Sequence, residues 1–342
     1  MALPRALTEC GLVILVALRD EVMRMAKRRV AVVQAGSAVF DTPRTLDRME
    51  GLCDRAAVDG AELVVFPEAY IGGYPKGLDF GARVGSRTMD GRDDFVRYYQ
   101  SAIAVPGPET CRIGSMAARM RAYLVTGVIE RDGGTLYCTA LFFNPDGELL
   151  GKHRKLVPTA SERLIWGQGD GSTLPVFETP LGKLGAAICW ENYMPNLRYA
   201  LYAKGINLWC APTVDDREMW PTSMRHIAYE GRTFVLSACQ YLRRADAPED
   251  YRCNLGDDPE TVLIRGGSMI ASPLGEVVAG PLYGCEGVLS AEIDLEDAVR
   301  GKFDLDVTGH YARPDIFTLM VNEARWTAVC VSPHPGDAEA GQ

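Results

Sequence analysis

Short apolar runs recur from one end of this chain to the other, and they constrain its fold more than anything else in the sequence. They are "RRVAVVQAG" (28–36), "ELVVFPE" (62–68), "YLVTGVIE" (123–130), "LYCTALFFN" (136–144), "LGAAIC" (184–189), "INLWCAP" (206–212), "FVLSACQ" (234–240), "SMIAS" (268–272) and "GVLSAEIDL" (287–295). Runs this short, without a polar face, read as strands buried on both sides. Something must cover those sides, and the intervening segments carry helix signals. Asp41 or Thr42 can cap a helix with Pro43 in its first turn, after which Leu46, Met49, Cys53 and Ala56 share one face. Further helices are expected near 92–104 and 109–121, over Pro195–Lys204 with Leu197 and Leu201 inward and Gly205 closing, and over Pro221–Glu230 with Met224, Ile227 and Ala228 inward before Gly231. "RDGG" and "NPDGE" read as tight turns, and 244–262 as a polar surface loop. No composition break divides the chain. The pattern predicts one α/β domain whose sheets are covered by helices.

Charge removes whole classes of partner. The net charge of −9 makes nucleic acid and anionic membrane poor partners. The one basic knot, Lys152-His153-Arg154-Lys155, is too short to change that and reads by default as a solvated loop. The ten cysteines are scattered, Cys138, Cys210 and Cys239 lie inside apolar runs, and none has zinc spacing. They predict a reducing compartment, the cytoplasm, with most thiols acting as small buried hydrophobes. "GLVILVAL" (11–18) is too short to span a bilayer and lacks a signal-peptide cleavage site. Met25 reads as a natural start, so residues 1–25 are expected to be a non-structural extension, 26–327 the domain, and 328–342 a mobile tail. "GQGDGS" (167–172) lacks the third glycine of a dinucleotide loop and reads as an ordinary loop.

A smaller set of residues carries chemistry. Cys189 ends an apolar run, and a helix is expected to begin near Pro195. That places the thiol at a tight corner, with the Trp190 backbone N–H free to point into the same space as an oxyanion donor. A thiol needs a base. His153 and His226 are conceivable, but each reads more simply as a solvated or helix-surface residue. Glu68, after four apolar residues and a proline, is the better candidate, since partial burial would raise its pKa toward a useful range. Lys155 is either a surface lysine or, beside the apolar "LVP", a fixed positive charge in a cleft. Glu162, taken alone, is a helix-surface carboxylate.

"FPEAYIGGYP" (66–75), "GKHRKLVPTASERLIWGQGDG" (151–171) and "GAAICWENYMP" (185–195) resemble, in order, the three signature blocks of the nitrilase superfamily, and in particular its true nitrilase branch. "CAPTVDDREMWPTSMRHIAYEGRTFVLSACQ" (210–240) and "GHYARPDIF" (309–317) are similar to that branch as well. The likeness covers roughly 27–327, and three ordered blocks are a specific signal. It implies a four-layer αββα sandwich, subunits pairing through their sheets, and assembly into a spiral or filament. It carries a glutamate–lysine–cysteine triad onto Glu68, Lys155 and Cys189, and a second glutamate onto Glu162.

The chemistry so implied is nitrile hydrolysis. Cys189 adds to the nitrile carbon, giving a thioimidate. Water addition and loss of ammonia give a thioester, and a second water releases the acid. Glu68 moves the protons, Lys155 and the Trp190 N–H stabilise the tetrahedral species, and Glu162 keeps Lys155 charged and aimed. No metal or organic cofactor is called for. An aliphatic amidase, an N-carbamoyl amide hydrolase or a cyanide-hydrolysing enzyme would use the same triad, and a non-catalytic filament protein would share the fold. Tyr74, Trp166, Trp190 and Tyr193 either pack the core or line a pocket suited to an aromatic or arylaliphatic nitrile.

Overall fold

The computed structural model describes residues 27–329. The expected extension (1–25) and all but the first residues of the expected tail lie outside them. Among the described residues, no helix is long and apolar enough to cross a membrane.

Two sheets pack face to face. In the first, β1 (Lys27–Gln34), β2 (Leu63–Val65) and β5 (Tyr123–Asp132) run parallel. It is completed by β6 (Thr135–Phe143), β7 (Leu149–Arg154) and β15 (Gly287–Asp294), in the order β15-β1-β2-β5-β6-β7. In the second, β9 (Gly182–Ala186), β10 (Leu208–Thr213) and β11 (Phe234–Cys239) are parallel. Around them lie β8 (Val176–Thr179), β12 (Tyr241–Arg243), β13 (Val262–Ala271) and β14 (Val277–Tyr283), the last pairing with β13. A two-strand ribbon, β3 (Ala82–Arg83) and β4 (Ser86–Arg87), stands apart.

Alternation along the strands sorts the layers. Val30, Val32, Leu63, Val65, Val125 and Ile129 from the first sheet meet Leu184, Leu208, Cys210, Phe234 and Leu236 from the second. The residues between them point outward. Ala31, Val33, Val64, Leu124 and Val128 take up α1 (Thr42–Val58) and α3 (Pro108–Met120), which follows α2 (Met89–Ser101). On the far side Trp209, Ala211 and Val235 take up α4 (Pro195–Ala203) and α5 (Met219–Gly231). The result is helix, sheet, sheet, helix: an αββα sandwich, in which both faces of each central strand are dry. A short helix, α6 (Glu296–Lys302), follows β15.

Local signals account for the helix ends. Asp41 caps α1 by accepting from the Arg44 N–H, with Pro43 in the first turn and Leu46, Met49, Cys53 and Ala56 buried. Gly205, at φ 80°, closes α4 as expected. At α5 the expectation fails by one residue: Gly231 is the last helical residue, and Arg232 takes the left-handed position at φ 49°. The Gly231 Cα packs on the Tyr202 ring, where a Cβ would come to 2.2 Å, so this glycine is required for contact rather than for a turn.

Three expectations are corrected. The basic knot is no solvated loop: Lys152-His153-Arg154 closes strand β7, and His153 and Lys155 are buried. Apolar periodicity missed β7 because Gly151, Lys152 and Arg154 interrupt it. The strand before Cys189 stops at Ala186, three residues early, and Cys189 opens a 3-10 turn, Cys189–Tyr193. The polar 244–262 segment is not a free surface loop throughout. Arg244, Tyr251 and Cys253 are buried, and the segment is pinned to its own chain by Tyr251 Oη–H to the Lys76 carbonyl (2.7 Å) and Arg252 to Asp90 (3.0 Å).

Candidate active site

Glu68, Lys155 and Cys189 each follow the carboxyl end of a strand: β2, β7 and β9. Glu68 and Lys155 come from one sheet and Cys189 from the other. Open α/β sheets place their crevices at such ends. The Glu68 corner depends on a bare backbone beside it. A Cβ on Gly127 of β5 would come to 2.4 Å from the Pro67 carbonyl and 2.6 Å from the Glu68 Cα. The glycine lets the corner lie directly on β5, and Gln240, beyond β11, anchors it from the second sheet through Nε2–H to the Glu68 carbonyl at 2.8 Å.

The side chains converge. Lys155 Nζ donates to Glu68 Oε1 at 2.6 Å and to Glu162 Oε2 at 2.8 Å. All three are buried: Glu68 is 0% exposed, Lys155 1% and Glu162 8%. Glu162 sits in a 3-10 turn, Ala160–Leu164, and reaches back to accept the Thr159 N–H at 2.7 Å. It therefore caps the turn and holds Lys155 at once, and is not the surface carboxylate it resembles in isolation. Tyr74 Oη–H donates to its other oxygen at 2.8 Å. The Cys189 thiol is 4% exposed, accepts from Thr213 Oγ1 at 3.3 Å, and lies close enough to Glu68 to favour that carboxylate's charged form.

Cys189 has φ 50°, in the left-handed region that a non-glycine residue enters only at a cost. This is the strained corner expected of a presented nucleophile. Because Cys189 opens the 3-10 turn, the Trp190 N–H belongs to its first residues, where backbone donors have no partner inside the turn.

Electrostatics assigns proton positions. Burial pushes the Cys189 thiol pKa well up, the Glu68 charge pushes the same way, and the Lys155 ammonium only partly opposes them. The resting thiol is protonated and needs a base. Burial also raises Glu68 above the ordinary carboxylate range, against the pull of Lys155. A carboxylate so raised is a stronger proton acceptor. Burial works against the Lys155 ammonium, but the charge of Glu68, with that of Glu162 behind it, outweighs it, so its pKa stands well above the ordinary lysine value. The site thus holds a fixed cation, a basic carboxylate and a neutral thiol.

The remaining candidates divide. Tyr74 and Trp166 stand edge to face (5.8 Å) and line a cavity of about 280 Å³ with Glu162, Ile165, Leu78 and Leu255. Trp166 is 4% exposed, its indole N–H spent on Tyr98 Oη at 3.1 Å, so its body packs core while one edge meets the cavity. Trp190 and Tyr193 line a second, wider hollow of about 600 Å³ with Asp215, Arg217 and Met219. There Trp190 Nε1–H donates to Asp215 (2.8 Å) and Arg217 stacks on the indole (4.5 Å). Neither histidine touches the thiol: His226 is on the α5 surface beside Glu230 (3.7 Å), and His153 is buried against Glu191.

Sequence reasoning missed Thr213, Gln240 and Cys138, whose Sγ–H lies 3.5 Å from Glu68 Oε1. Nothing in their local pattern marks them, since each fills, ends or directly follows an ordinary strand. Glu191 lies inside the third sequence block, and its local pattern points to no role. The eight described cysteines are all unpaired, six of them buried, as the apolar runs suggested.

Residues 29–302 match the carbon-nitrogen hydrolase family. The chain is 57% identical over 305 residues to an aliphatic nitrilase of Sinorhizobium fredii, covering 89% of this chain and 99% of that protein. It is 55% identical over 316 residues to a bifunctional nitrilase/nitrile hydratase of Nicotiana tabacum, covering 91% of each. Solved structures share the fold at lower identity. An amidase of Nesterenkonia superposes with a TM-score of 0.60 at 19% identity over 80% of this chain and 93% of its own. The NitFhit protein of C. elegans does so with a TM-score of 0.69 at 21% identity, over 88% and 69%. Family match, relatives and fold agree with the three ordered sequence blocks: the chain belongs to the carbon-nitrogen hydrolase family, in its nitrilase branch.

Proposed function

We propose that this protein hydrolyses organic nitriles to carboxylic acids and ammonia, with Cys189 as nucleophile, Glu68 as general base and acid, Lys155 as the fixed cation, and Glu162 as its holder. One observation carries the reading: a neutral thiol on a strained corner, next to a buried carboxylate of raised basicity that is itself ion-paired to a buried ammonium at 2.6 Å. Glu68 takes the thiol proton as sulfur bonds to the nitrile carbon, and the nitrogen receives a proton, giving a thioimidate. A first water adds to the C=N carbon. Lys155 and the Trp190 N–H face the negative charge that then develops. Ammonia leaves with the protons that Glu68 relays, and the thioester remains. A second water, deprotonated by Glu68, displaces the thiol as the acid forms. Two waters enter, and one acid and one ammonia leave.

The names of the relatives favour nitriles over amides, and one pairs nitrilase with nitrile hydratase activity. Some amide is therefore expected beside the acid. One hollow carries Tyr74 and Trp166 beside Glu162, and the other carries Tyr193 and Trp190, the residue after Cys189. They suit an arylaliphatic or aliphatic nitrile. A homo-oligomer in a reducing cytoplasm completes the reading, supported by the unpaired cysteines and by exposed Ile316, Phe317 and Met320 beyond the sandwich.

The test is ammonia release from phenylacetonitrile, an aliphatic nitrile, phenylacetamide and cyanide, with Cys189→Ala alongside. Nitrile turnover by the wild type, none by the variant, and a mass adduct on Cys189 are expected. Turnover of amide or cyanide alone would replace the substrate assignment, and an adduct on another cysteine would replace the nucleophile.

A further inference from the structure

His153 and Glu191 form a fully buried pair outside the catalytic cluster, each side chain 0% exposed, with Nε2 and Oε2 2.9 Å apart. The mechanism above does not use them. Their partners fix the charge state. His153 Nδ1 meets the Thr173 carbonyl at 2.6 Å, and a carbonyl only accepts, so Nδ1 carries hydrogen. The Glu191 carboxylate already accepts backbone N–H groups on both oxygens: Leu156 on Oε1 at 2.6 Å and Ile188 on Oε2 at 2.7 Å. An acceptor so occupied turns only lone pairs toward Nε2, and Nε2 therefore donates to it. The ring is an imidazolium. Burial works against that cation most strongly, but the charge and hydrogen bond of Glu191, with the Thr173 carbonyl, outweigh it and raise its pKa.

The two backbone donors matter most. Leu156 directly follows Lys155, and Ile188 directly precedes Cys189. One carboxylate thus grips the backbone N–H of the residue after Lys155 and that of the residue before Cys189, although the two arrive on different sheets. His153, two residues before Lys155 on β7, grips that carboxylate in turn.

We infer that the His153–Glu191 ion pair is a positioning device that sets the separation of Lys155 from Cys189, so that its loss impairs the chemical steps and leaves substrate binding nearly intact. The inference rests on the triad reading above. Misplacing a reacting group by about 1 Å costs on the order of 10²-fold.

The experiment compares Glu191→Gln, His153→Gln and the double variant in the full chain. It measures melting temperature, steady-state nitrile hydrolysis, and the single-turnover rate of the Cys189 adduct by intact mass. Each single variant leaves an uncompensated buried partner and should melt lower, whereas the double variant removes both charges and should regain much of the loss. In folded single variants kcat should fall roughly 10- to 100-fold with KM within about threefold, and adduct formation should slow in parallel. A glutamine oxygen and amide cannot accept both backbone N–H groups, so the double variant should recover stability and not kcat. Wild-type kcat in a folded Glu191→Gln protein would overturn the assignment. So would a loss confined to KM, recovery of kcat together with stability in the double variant, or failure of all three variants to fold, which would leave a purely structural pair. Wild-type protein inert to nitriles but active on amides would overturn the substrate reading alone, and the comparison would then run on the amide.

Discussion

Glu162 holds Lys155 from one side, and that makes it a control point for product as well as rate. The tetrahedral species formed by the first water can lose ammonia, giving the thioester and then the acid, or lose the Cys189 thiolate, giving the amide. The first exit depends on a charged, well-aimed Lys155, which Glu162 holds at 2.8 Å. Glu162→Gln keeps the shape and removes the charge. Activity should fall roughly 10²- to 10³-fold, and chromatography of the remaining product should show a larger share of amide. Unchanged rate and ratio would reduce Glu162 to a turn cap. Cys189 allows a second comparison. Alanine there keeps the cost of φ 50°, while glycine does not. Both variants should be inactive, yet Cys189→Gly should melt no lower than Cys189→Ala, the reverse of the usual order in a regular element. A clearly lower glycine variant would show that the corner is unstrained.

Among the elements, β7 shows what the sequence can and cannot reveal. The doubly buried strands β1, β5, β10 and β11 announce themselves as unbroken apolar runs, and α1 announces itself through Asp41, Pro43 and its apolar face. Strand β7 sits at a sheet edge with charged residues, and its pairing to β6 comes from the partner rather than from its own composition. For the same reason His153 looked solvated: its burial is created by Glu191 and Thr173, which are distant in sequence. Lys155 follows a strand that composition hides, but the positions of Glu68 and Cys189 at the ends of apolar runs can be read directly. That two sheets bring those ends together cannot, because it is a property of packing. The charges of β7 also predict acid behaviour. Burial opposes the Glu130 carboxylate, but hydrogen bonds from Arg154 and Lys152 outweigh it and lower its pKa below 4.5. A lowered folded-state pKa contributes stability above the unfolded value, which is lost as pH falls through the folded one. Glu130→Gln should therefore cost roughly 2 kcal/mol near neutrality. The gap in melting temperature between wild type and variant should close as pH drops below about 4. A gap independent of pH would assign the loss to packing alone.

At the scale of the whole molecule, Ile316, Phe317, Met320 and Trp326 lie largely exposed on the segment that runs beyond α6. So much bare apolar surface on one segment favours burial against another subunit. Light scattering at micromolar concentration is expected to give an assembly of at least a dimer, and Phe317→Ser with Met320→Ser should shift it toward smaller species. A monomeric wild type would exclude this. The division of the active site between sheets has a further consequence for denaturation. Each sheet keeps its own hydrogen-bond ladder, but neither holds a complete set of Glu68, Lys155 and Cys189. Turnover therefore reports whether the two sheets are docked in register, a property that far-ultraviolet dichroism does not sense. On titration with urea, activity should disappear at or before the loss of secondary structure and never outlast it. Any partly folded form that retains its strands while the sheet interface loosens will look native by dichroism and be catalytically silent.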